Sequence, residues 1–409
     1  MKRVVITGMG AISPIGNNVE SMWASMLEGR HGIGEITHFD ATPFKVKLAA
    51  EVKNFDPQAV LGGNEFKRYD RFIQFALAAA DEAVADSGIL GTVSEERLGV
   101  YIGSGVGGSG TTYQETDKLL QKGPRWISPF LVPMMIGNMA SGLAAIRYQA
   151  KGVNLPVVTA CATASHSIGE AYRAIRHGYA DAVIAGGSEA AINPISVAGF
   201  TSCMALTQTT DPDRASIPFD LERSGFVMGE GAGVLILEEY ERARERGARI
   251  YAEIVGYGNT CDAYHMTAPD PDAAGGSRAI VQALSESVGD GFRKMYINAH
   301  GTSTPLNDKC ETLAIKSALG QRAYQDVVIS STKSMTGHML GAAGAVEAIA
   351  AVSVLIEGQA PPTIGYQVAD PDCDLDYVPN MARKVDVDVS ISLSLGFGGH
   401  NACLAFVRV

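Results

Sequence analysis

Cys161 lies in a turn of small residues between an apolar run and a predicted helix. That helix is predicted over residues 163–177, because Tyr172 and Ile175 recur at helical spacing and Gly178 can end it. Unpaired backbone N–H groups at a helix start favour negative charge, so this position would stabilise a thiolate and the oxyanion formed when it attacks a carbonyl. A buried structural cysteine in a tight turn is the alternative, since cysteine is among the residues most often buried.

Two histidines in the second half of the chain have a similar setting. His300 follows a predicted strand and His338 precedes a predicted helix, and both stand beside glycines and small hydroxyl residues. Ligands of α/β sheets collect at the carboxyl ends of strands, so we expect both imidazoles near Cys161. A thiol with two imidazoles is suited to acyl transfer through a covalent thioester. No acidic residue stands at helical spacing from either histidine, so no metal site is predicted.

Segments typical of strands and helices alternate along the 409 residues, which predicts an α/β fold with buried strands. The predicted strands are residues 4–7, 98–102, 182–185, 231–238, 249–256, 295–299, 326–330, 389–395 and 402–407. The predicted helices are residues 21–28, 71–87, 163–177, 239–246, 311–319 and 339–357, and residues 123–139 are predicted as a loop followed by a helix.

A weak internal repeat divides the chain. The apolar pair at residues 157–158 precedes a helix that ends at Gly178, and the pair at residues 327–328 precedes a helix that ends at Gly358. The second copy therefore has the longer strand-to-helix loop, and the halves are expected to meet near residue 250.

Glycines are concentrated at residues 103–108, directly after a predicted strand. The run resembles a nucleotide-binding loop, but no Lys-Ser or Lys-Thr pair follows it and no acidic partner stands at the required distance. Close packing of the backbone beside a site is therefore the preferred interpretation.

Composition argues against several classes of function. The net charge is −11, so no bulk attraction to nucleic acid or to an anionic membrane is expected, and no partner of either kind is predicted. The six cysteines are scattered without a CxxC spacing, which indicates reduced thiols in a cytoplasmic enzyme. Gly8 and Gly10 break the first apolar run, so no signal peptide is predicted, and no run approaches the length of a transmembrane helix.

Four motifs together resemble those of the β-ketoacyl-acyl-carrier-protein synthases, most closely the bacterial type II elongating enzymes. The motifs are residues 159–163 (Thr-Ala-Cys-Ala-Thr), 298–304 (Asn-Ala-His-Gly-Thr-Ser-Thr), 333–338 (Lys-Ser-Met-Thr-Gly-His) and 396–399 (Gly-Phe-Gly-Gly). They occur in the family's order, and further matches at residues 5–10 and 223–231 extend the resemblance over essentially the whole chain.

The resemblance implies a thiolase-like α/β fold, in which two similar βαβ-rich halves stack as five αβαβα layers. Residues 1–250 would form the half with Cys161, and residues 251–409 the half with both histidines. A homodimer is implied, with acyl carrier protein as partner and no cofactor beyond the phosphopantetheine arm that the carrier protein brings. The implied reaction is a decarboxylative Claisen condensation of malonyl-acyl-carrier protein with a Cys-bound acyl chain, which elongates fatty acids by two carbons.

The resemblance also implies a role for each residue at the centre of the site. Cys161 matches the nucleophile that accepts the acyl group. His300 and His338 match the pair that promotes decarboxylation, and Lys333 matches the lysine that supports them electrostatically. Phe397 matches a gating aromatic residue, and its backbone N–H would join that of Cys161 in the oxyanion hole.

Further implied roles belong to residues around this centre. These are the supporting acids Asp308 and Glu311, the pantetheine-binding hydroxyls of Thr302 and Thr304, and the acyl-pocket residues Val106 and Phe200.

One departure from the family pattern concerns a structural monovalent cation. The family commonly reads Asn-Ser-Phe before Gly-Phe-Gly-Gly, whereas this chain has Leu393, Ser394 and Leu395 there. The family's asparagine lies close to the cation, together with residues matched by Asn298 and Glu347. Because the side chain of Leu393 offers no ligand oxygen, no bound metal ion is predicted.

Other functions remain open at this point. The first is a ketosynthase of a polyketide or other specialised pathway, and the acyl chain length is equally undetermined. The second is a non-catalytic partner subunit like a chain-length factor, which would be expected to lack the nucleophile. The third is a thiolase, which typically uses a second cysteine in a Cys-x-Gly turn, and Cys403 does not stand in one. A cysteine hydrolase has no support in the sequence.

Overall fold

The computed structural model describes residues 1–286 and 291–409. Its strands are β1 (Val4–Ile12), β2 (Ile33–Glu35), β3 (Leu48–Ala50), β4 (Leu98–Gly103), β5 (Ala182–Glu189), β6 (Gly231–Glu239), β7 (Ala252–Cys261), β8 (Met295–Asn298), β9 (Val327–Ser330), β10 (Gln359–Ala360), β11 (Arg383–Lys384), β12 (Val389–Gly396) and β13 (His400–Val407). Its α-helices are α1 (Val19–Leu27), α2 (Pro57–Leu61), α3 (Arg71–Ser87), α4 (Ser109–Lys122), α5 (Leu131–Met135), α6 (Met139–Tyr148), α7 (Thr163–Arg176), α8 (Pro194–Ser202), α9 (Tyr240–Glu245), α10 (Ala274–Ser285), α11 (Pro305–Leu319), α12 (Arg322–Gln325), α13 (Lys333–Thr336) and α14 (Ala343–Glu357).

Nine strands form one mixed sheet in the order β4-β5-β6-β1-β7-β13-β12-β8-β9. The second half of the sheet mirrors the first. Strands β4, β5, β6 and β1 correspond in position to β8, β12, β13 and β7, and β9 is an additional outer strand. The pairing types match too: β4–β5 and β8–β12 are parallel, whereas β5–β6 and β12–β13 are antiparallel. Antiparallel pairing of β1 with β7 joins the two similar halves.

The helices and the two half-sheets form five layers around three apolar cores. α7 and α14 lie in the middle layer and pack against strands of both halves. α3 and α6 cover the outer face of the first half, and α10 and α11 cover that of the second. The predicted αβαβα arrangement of two βαβ-rich halves is confirmed.

The ends and the packing of α3 follow from its sequence. The Asp70 side chain accepts the N–H of Phe72 at 3.2 Å, and Gly88 ends the helix in the left-handed conformation with φ 59°. Gly10 of β1 lets this helix approach, since a Cβ there would lie 2.0 Å from the carbonyl oxygen of Ala79. The predicted bounds of this helix, residues 71–87, are confirmed.

A tight turn followed by a long helix recurs in both halves. The turns begin at Ala160 and Leu340, which are both left-handed with φ 50° and 47°. The helices α7 and α14 begin at Thr163 and Ala343. Both separations are 180 residues (340 − 160 and 343 − 163), so the predicted internal repeat is present.

Several predictions for the strands differ from what is observed: β1 continues to Ile12, and β7 begins and ends later than predicted, at Ala252 and Cys261. Residues 157–158 lie outside the strands, and Asn154 makes a single bridge to Val100 at that edge of the first half. β5 is longer than the predicted strand at residues 182–185, since it continues through Gly186 and Gly187 and ends at Glu189. Gly186 is needed for close packing within the sheet, because a Cβ there would lie 2.0 Å from the carbonyl oxygen of Gly233.

The segment Leu340–Glu357 is long and apolar enough to cross a membrane, so the expectation that no run approaches that length was wrong. Its position explains the composition, since 89% of it is buried inside the protein as part of the middle layer. A core helix enclosed on all sides carries apolar residues all round.

Candidate active site

The thiol of Cys161 and the imidazoles of His300 and His338 converge in one buried site. One sulfur or nitrogen atom from each lies within 4.8 Å of the others. The two imidazole rings are 5.2 Å apart between centroids and nearly perpendicular, at 86°. All three side chains line a cavity of about 380 Å³. The structure thus brings together the three side chains that the sequence singled out.

Cys161 occupies the turn Ala160–Ala162 that precedes α7. The backbone N–H groups of Phe397 and of Cys161 itself lie close enough to the sulfur to lower the pKa of the thiol. The loop of Phe397 approaches this closely because residue 396 is glycine, as a Cβ on Gly396 would lie 2.9 Å from the carbonyl oxygen of Thr159. Two N–H groups so placed can stabilise an oxyanion on an acyl group bound to the sulfur.

Burial controls the protonation of the Cys161 thiol. It raises the pKa of Cys161 to about 11, although Lys333 and the N–H of Phe397 act in the opposite direction. The thiolate expected from the turn is therefore not the resting form, because the cost of burying the charge exceeds the stabilisation by these groups. The thiol is therefore protonated at neutral pH.

The tautomer of His338 is set by the backbone. Its Nδ1 atom accepts the N–H of Leu340 at 3.3 Å, so the ring proton resides on Nε2. This Nε2 is buried and has no hydrogen-bond partner among the described residues. The site therefore contains a hydrogen-bond donor that has no acceptor among the described residues. A substrate oxygen can serve as that acceptor.

The tautomer of His300 is set by Lys333. The Nζ atom of Lys333 lies 3.4 Å from the Nδ1 atom of His300, and an ammonium group can only donate. Lys333 is buried and also forms an ion pair with Glu347 of α14. Burial raises the pKa of Glu347, while the adjacent ammonium opposes that shift. Nε2 of His300 is left as the second donor of the site.

Both imidazoles are neutral. Burial lowers the pKa of His300 and of His338 well below the usual value, and the nearby Lys333 ammonium acts in the same direction. Neutral N–H donors cost less to bury than imidazolium ions and can still stabilise an oxyanion. The pair is therefore suited to hold negative charge that develops on a carbonyl oxygen.

The same three side chains resemble a zinc ligand set in composition but not in hydrogen bonding. A histidine that binds a metal through Nε2 normally donates its Nδ1–H to an acceptor. Here Leu340 and Lys333 present donors to the two Nδ1 atoms, which keeps the protons on Nε2. The tautomers thus favour donation to a substrate oxygen over metal coordination.

Glu311 and Asp308 act on the loop that carries His300. The Glu311 carboxylate accepts the N–H groups of His300 at 2.5 Å and of Gly301 at 2.7 Å. Asp308 accepts the N–H of Ser303 at 3.2 Å. Burial raises the pKa of both acids, that of Glu311 to about 8. These hydrogen bonds fix the backbone beneath the imidazole.

The walls of the cavity include most of the remaining predicted residues. Phe200 and Phe397 face each other with ring centroids 6.4 Å apart, and the hydroxyls of Thr302 and Thr304 lie 3.0 Å from each other. Val106 is 43% exposed and is not among the residues that line this cavity. The structure thus separates Val106 from Phe200, with which it was expected to form the acyl pocket.

Two residues at the site were not identified from the sequence. Phe226 lines the cavity, and its ring lies at 74° to the imidazole of His338 with centroids 5.1 Å apart. It lies within a matched segment, but nothing in that segment distinguished it. Glu189 accepts the N–H groups of Gly105 and Val106, so the glycine run holds a carboxylate of the chain itself.

Position 393 does not face the residues considered for a cation. Asn298 Oδ1 and Glu347 Oε2 are buried acceptors without partners among the described residues, and this set fits a hard cation or a water molecule. Leu393 packs into the outer core, whereas Ser394 faces the middle layer and lies 2.8 Å from Ser165. The side chain of Leu393 therefore gives no reason to exclude a bound cation. The absence of a cation stays a prediction.

Comparison with family models matches residues 1–243 to "Beta-ketoacyl synthase, N-terminal domain" and residues 251–367 to "Beta-ketoacyl synthase, C-terminal domain". The 3-oxoacyl-[acyl-carrier-protein] synthase 2 of Synechocystis sp. is 54% identical over 407 residues, covering 99% of this chain and 98% of that protein. The enzyme of the same name from Coxiella burnetii is 49% identical over 410 residues, covering 100% and 99%.

Solved structures give the same result. A β-ketoacyl synthase from Burkholderia phymatum superposes with a TM-score of 0.91 at 35% identity, covering all of both chains. A type II polyketide ketosynthase, solved in complex with its acyl-carrier protein and bound to the hexaketide, superposes with a TM-score of 0.91 at 34% identity, covering 100% of this chain and 99% of that one.

Proposed function

Because this chain belongs to the β-ketoacyl synthase family, we propose that it is an elongating 3-oxoacyl-[acyl-carrier-protein] synthase of fatty-acid synthesis. It is an acyltransferase that condenses malonyl-acyl-carrier protein with an enzyme-bound acyl chain and lengthens that chain by two carbons. The observation that carries this proposal is the convergence of Cys161 with two neutral imidazoles whose Nε2–H groups are free to donate.

The first half-reaction loads the acyl chain. The sulfur of Cys161 attacks the thioester carbonyl of acyl-carrier protein, the carbon–sulfur bond to the phosphopantetheine breaks, and the thiol proton leaves with the pantetheine sulfur. The tetrahedral oxyanion accepts the N–H groups of Cys161 and Phe397. Loading does not need a deprotonated cysteine at rest, so it is compatible with a raised thiol pKa.

The second half-reaction creates the carbon nucleophile. Malonyl-carrier protein places its thioester oxygen between His300 and His338, the carbon–carbon bond to the carboxylate breaks, and carbon dioxide leaves. The electron pair moves onto the thioester as an enolate, whose oxygen accepts both Nε2–H groups. The enolate carbon then attacks the acyl carbonyl, the Cys161 thiolate is expelled and takes a proton from water, and the 3-oxoacyl product stays on the carrier protein.

Acyl carrier protein is the proposed partner, and its phosphopantetheine arm is the only cofactor that the reaction uses. The cavity supports this role, because the hydroxyls of Thr302 and Thr304 line it beside His300 and can bind the amides of the arm. The neighbouring structure solved with its acyl-carrier protein supports the same class of partner. The enzyme is proposed to act in the cytoplasm.

A homodimer completes the proposal. Large apolar side chains are exposed at many positions along residues 106–158, which is typical of a segment that another protein covers. They include Val106, Tyr113, Leu119, Leu120, Trp126, Val132, Ile146, Leu155 and Val158. We propose that a second copy packs against this segment, buries Val106 and completes the acyl pocket. Within each copy, the proposed division is residues 1–250 and 251–409.

Two alternatives within the family remain distinguishable. A non-catalytic chain-length-factor-like subunit would lack the nucleophile, and Cys161 is present with both histidines. A polyketide ketosynthase would use the same chemistry on longer, repeatedly extended chains. Relatives that cover the chain at 49–54% identity are named 3-oxoacyl-[acyl-carrier-protein] synthase 2, which favours fatty-acid synthesis.

The test is product analysis with purified enzyme, malonyl-carrier protein and saturated acyl-carrier proteins of graded length. The proposal expects 3-oxoacyl-carrier protein longer by two carbons, together with one equivalent of carbon dioxide. Repeated extension without release would favour the polyketide alternative. The absence of any acyl-enzyme at Cys161 by intact mass would contradict the proposal.

A further inference from the structure

Glu189 is a buried carboxylate that the proposed reaction does not use. It is the last residue of β5 and is fully enclosed. Its Oε1 atom accepts the hydroxyl of Ser104 at 2.7 Å and the N–H of Val106 at 3.3 Å. Its Oε2 atom accepts the N–H of Gly105 at 2.9 Å and of Gly341 at 3.1 Å. Four neutral donors from two distant segments thus meet on one side chain.

The internal repeat explains why this carboxylate lies where it does. β5 and β12 each have eight residues and occupy mirrored positions, so Glu189 corresponds to Gly396 (389 − 182 and 396 − 189 are both 207). By the 180-residue offset of the turns, Gly341 corresponds to Cys161 (341 − 161). In the first half the turn presents a thiol. In the second half the corresponding residue, Gly341, has no side chain. Its backbone N–H donates to Glu189, which occupies the adjacent space.

The turn that Glu189 holds is the one that sets the tautomer of His338. Gly341 directly follows Leu340, whose N–H is the donor to Nδ1 of His338. The segment is closely packed, because a Cβ on Gly341 would lie 2.4 Å from the nitrogen of Gly105 and 2.7 Å from Oε2 of Glu189. A displacement of this turn would move the Leu340 N–H and release the imidazole proton from Nε2.

We propose that Glu189 is a positioning residue for decarboxylation: through its Oε2 atom it holds the Leu340–Gly341 turn, which keeps the Nε2–H of His338 directed at the substrate oxygen. This inference rests on the proposed function, since it assigns Glu189 to one half-reaction of the same site. It does not require Glu189 to touch substrate. Loading of Cys161 uses the other turn and is expected to depend on Glu189 much less.

Two variants separate the hydrogen bonds of Glu189 from its volume. In Glu189→Gln the amide oxygen still accepts from Gly105 and Gly341, and the amide nitrogen faces the hydroxyl of Ser104, which can accept as well as donate, so that only the acceptor for the N–H of Val106 is lost. Glu189→Leu keeps a similar volume but has no acceptor. The glutamine variant should therefore rescue what the leucine variant loses.

The measurements are carbon dioxide release from malonyl-carrier protein, the rate of acyl-Cys161 formation by intact mass, and thermal unfolding of each full-length variant. Glu189→Leu should release carbon dioxide about 10- to 100-fold more slowly, the range found when groups that orient metal-binding histidines are removed, while acylation changes only a few-fold. Glu189→Gln should stay within a few-fold of wild type in both carbon dioxide release and acylation.

Asp70→Leu is a matched control, because it removes another buried carboxylate, which accepts from Thr111 and Phe72 at the start of α3. It should lower stability without slowing carbon dioxide release more than acylation.

If Glu189→Leu does not fold, Gly341→Ala tests the same link with Glu189 intact, because its Cβ must displace the Gly105–Glu189 contact. Gly110→Ala, which adds a methyl group in open space, is its control. Normal decarboxylation by folded Glu189→Leu or by Gly341→Ala would overturn the inference, as would an equal loss of acylation and decarboxylation. A wild-type enzyme that releases no carbon dioxide from malonyl-carrier protein would instead contradict the proposed function itself.

Discussion

The Nδ1 atom of His338 accepts the backbone N–H of Leu340 at 3.3 Å, so the ring proton resides on Nε2. Leu340 begins the turn that repeats the Cys161 turn 180 residues earlier (340 − 160). The duplicated element thus has two uses. One copy presents the thiol and its oxyanion donors, and the other fixes the tautomer of a neutral donor.

The first prediction concerns the reactivity of the free thiol. Burial raises the pKa of Cys161 to about 11, so its alkylation by iodoacetamide should be slow at neutral pH and should rise about tenfold per pH unit up to about pH 9, since only the thiolate reacts. The exposed Cys203 and Cys261 should be labelled first. Peptide mass mapping over a pH series gives the site-specific rates. A Cys161 rate that has already levelled off at neutral pH would contradict the prediction.

The second prediction separates stability from function at the buried ion pair. Lys333→Met leaves Glu347 buried without its partner and should lower the free energy of unfolding by about 3–5 kcal/mol. The double variant Lys333→Met with Glu347→Leu should regain most of that stability. Its decarboxylation should nevertheless stay slower than that of the wild type, because no group then donates a hydrogen bond to Nδ1 of His300. Denaturant unfolding and carbon dioxide release measure the two effects, and full activity of the stable double variant would contradict the role of Lys333.

The third prediction concerns the loop that carries Phe397. Gly396→Ala places a Cβ 2.9 Å from the carbonyl oxygen of Thr159, which should displace the Phe397 N–H from the sulfur of Cys161. Loss of one oxyanion donor typically costs about 100- to 1000-fold in rate, so acyl-Cys161 formation should slow by up to that amount. Gly199→Ala, with nothing within 4 Å of its new methyl group, is the matched control. Equal acylation rates for the two variants would exclude Phe397 from the oxyanion hole.

Much of the fold could be predicted from the sequence because local patterns and packing agree. Asp70 and Gly88 mark the ends of α3, and the small residues after Thr159 mark the Cys161 turn. The prediction failed where glycine serves tertiary packing. The predicted strand stopped at residue 185, but β5 continues through Gly186, which is glycine because a neighbouring backbone leaves no room for a side chain.

The site was only partly predictable for a related reason. The motifs identified Cys161 and both histidines, since these side chains stand beside glycines and small residues. The protonation of the site depends on contacts between distant segments, such as Lys333 with His300, and on burial that raises the thiol pKa. The same limit applies to Leu393. Whether its side chain affects cation binding depends on which face of β12 it occupies, and that is known only from the structure.

The division of labour between the thiol and the imidazoles is the central claim, and two variants test it directly. Cys161→Ala should abolish condensation but retain decarboxylation of malonyl-carrier protein, since both Nε2–H donors remain. His338→Ala should still form acyl-Cys161, while carbon dioxide release falls by about 100- to 1000-fold with the loss of one oxyanion donor. The measurement is carbon dioxide release beside intact enzyme mass for each folded variant. Normal decarboxylation by His338→Ala, or its failure to become acylated, would contradict the account.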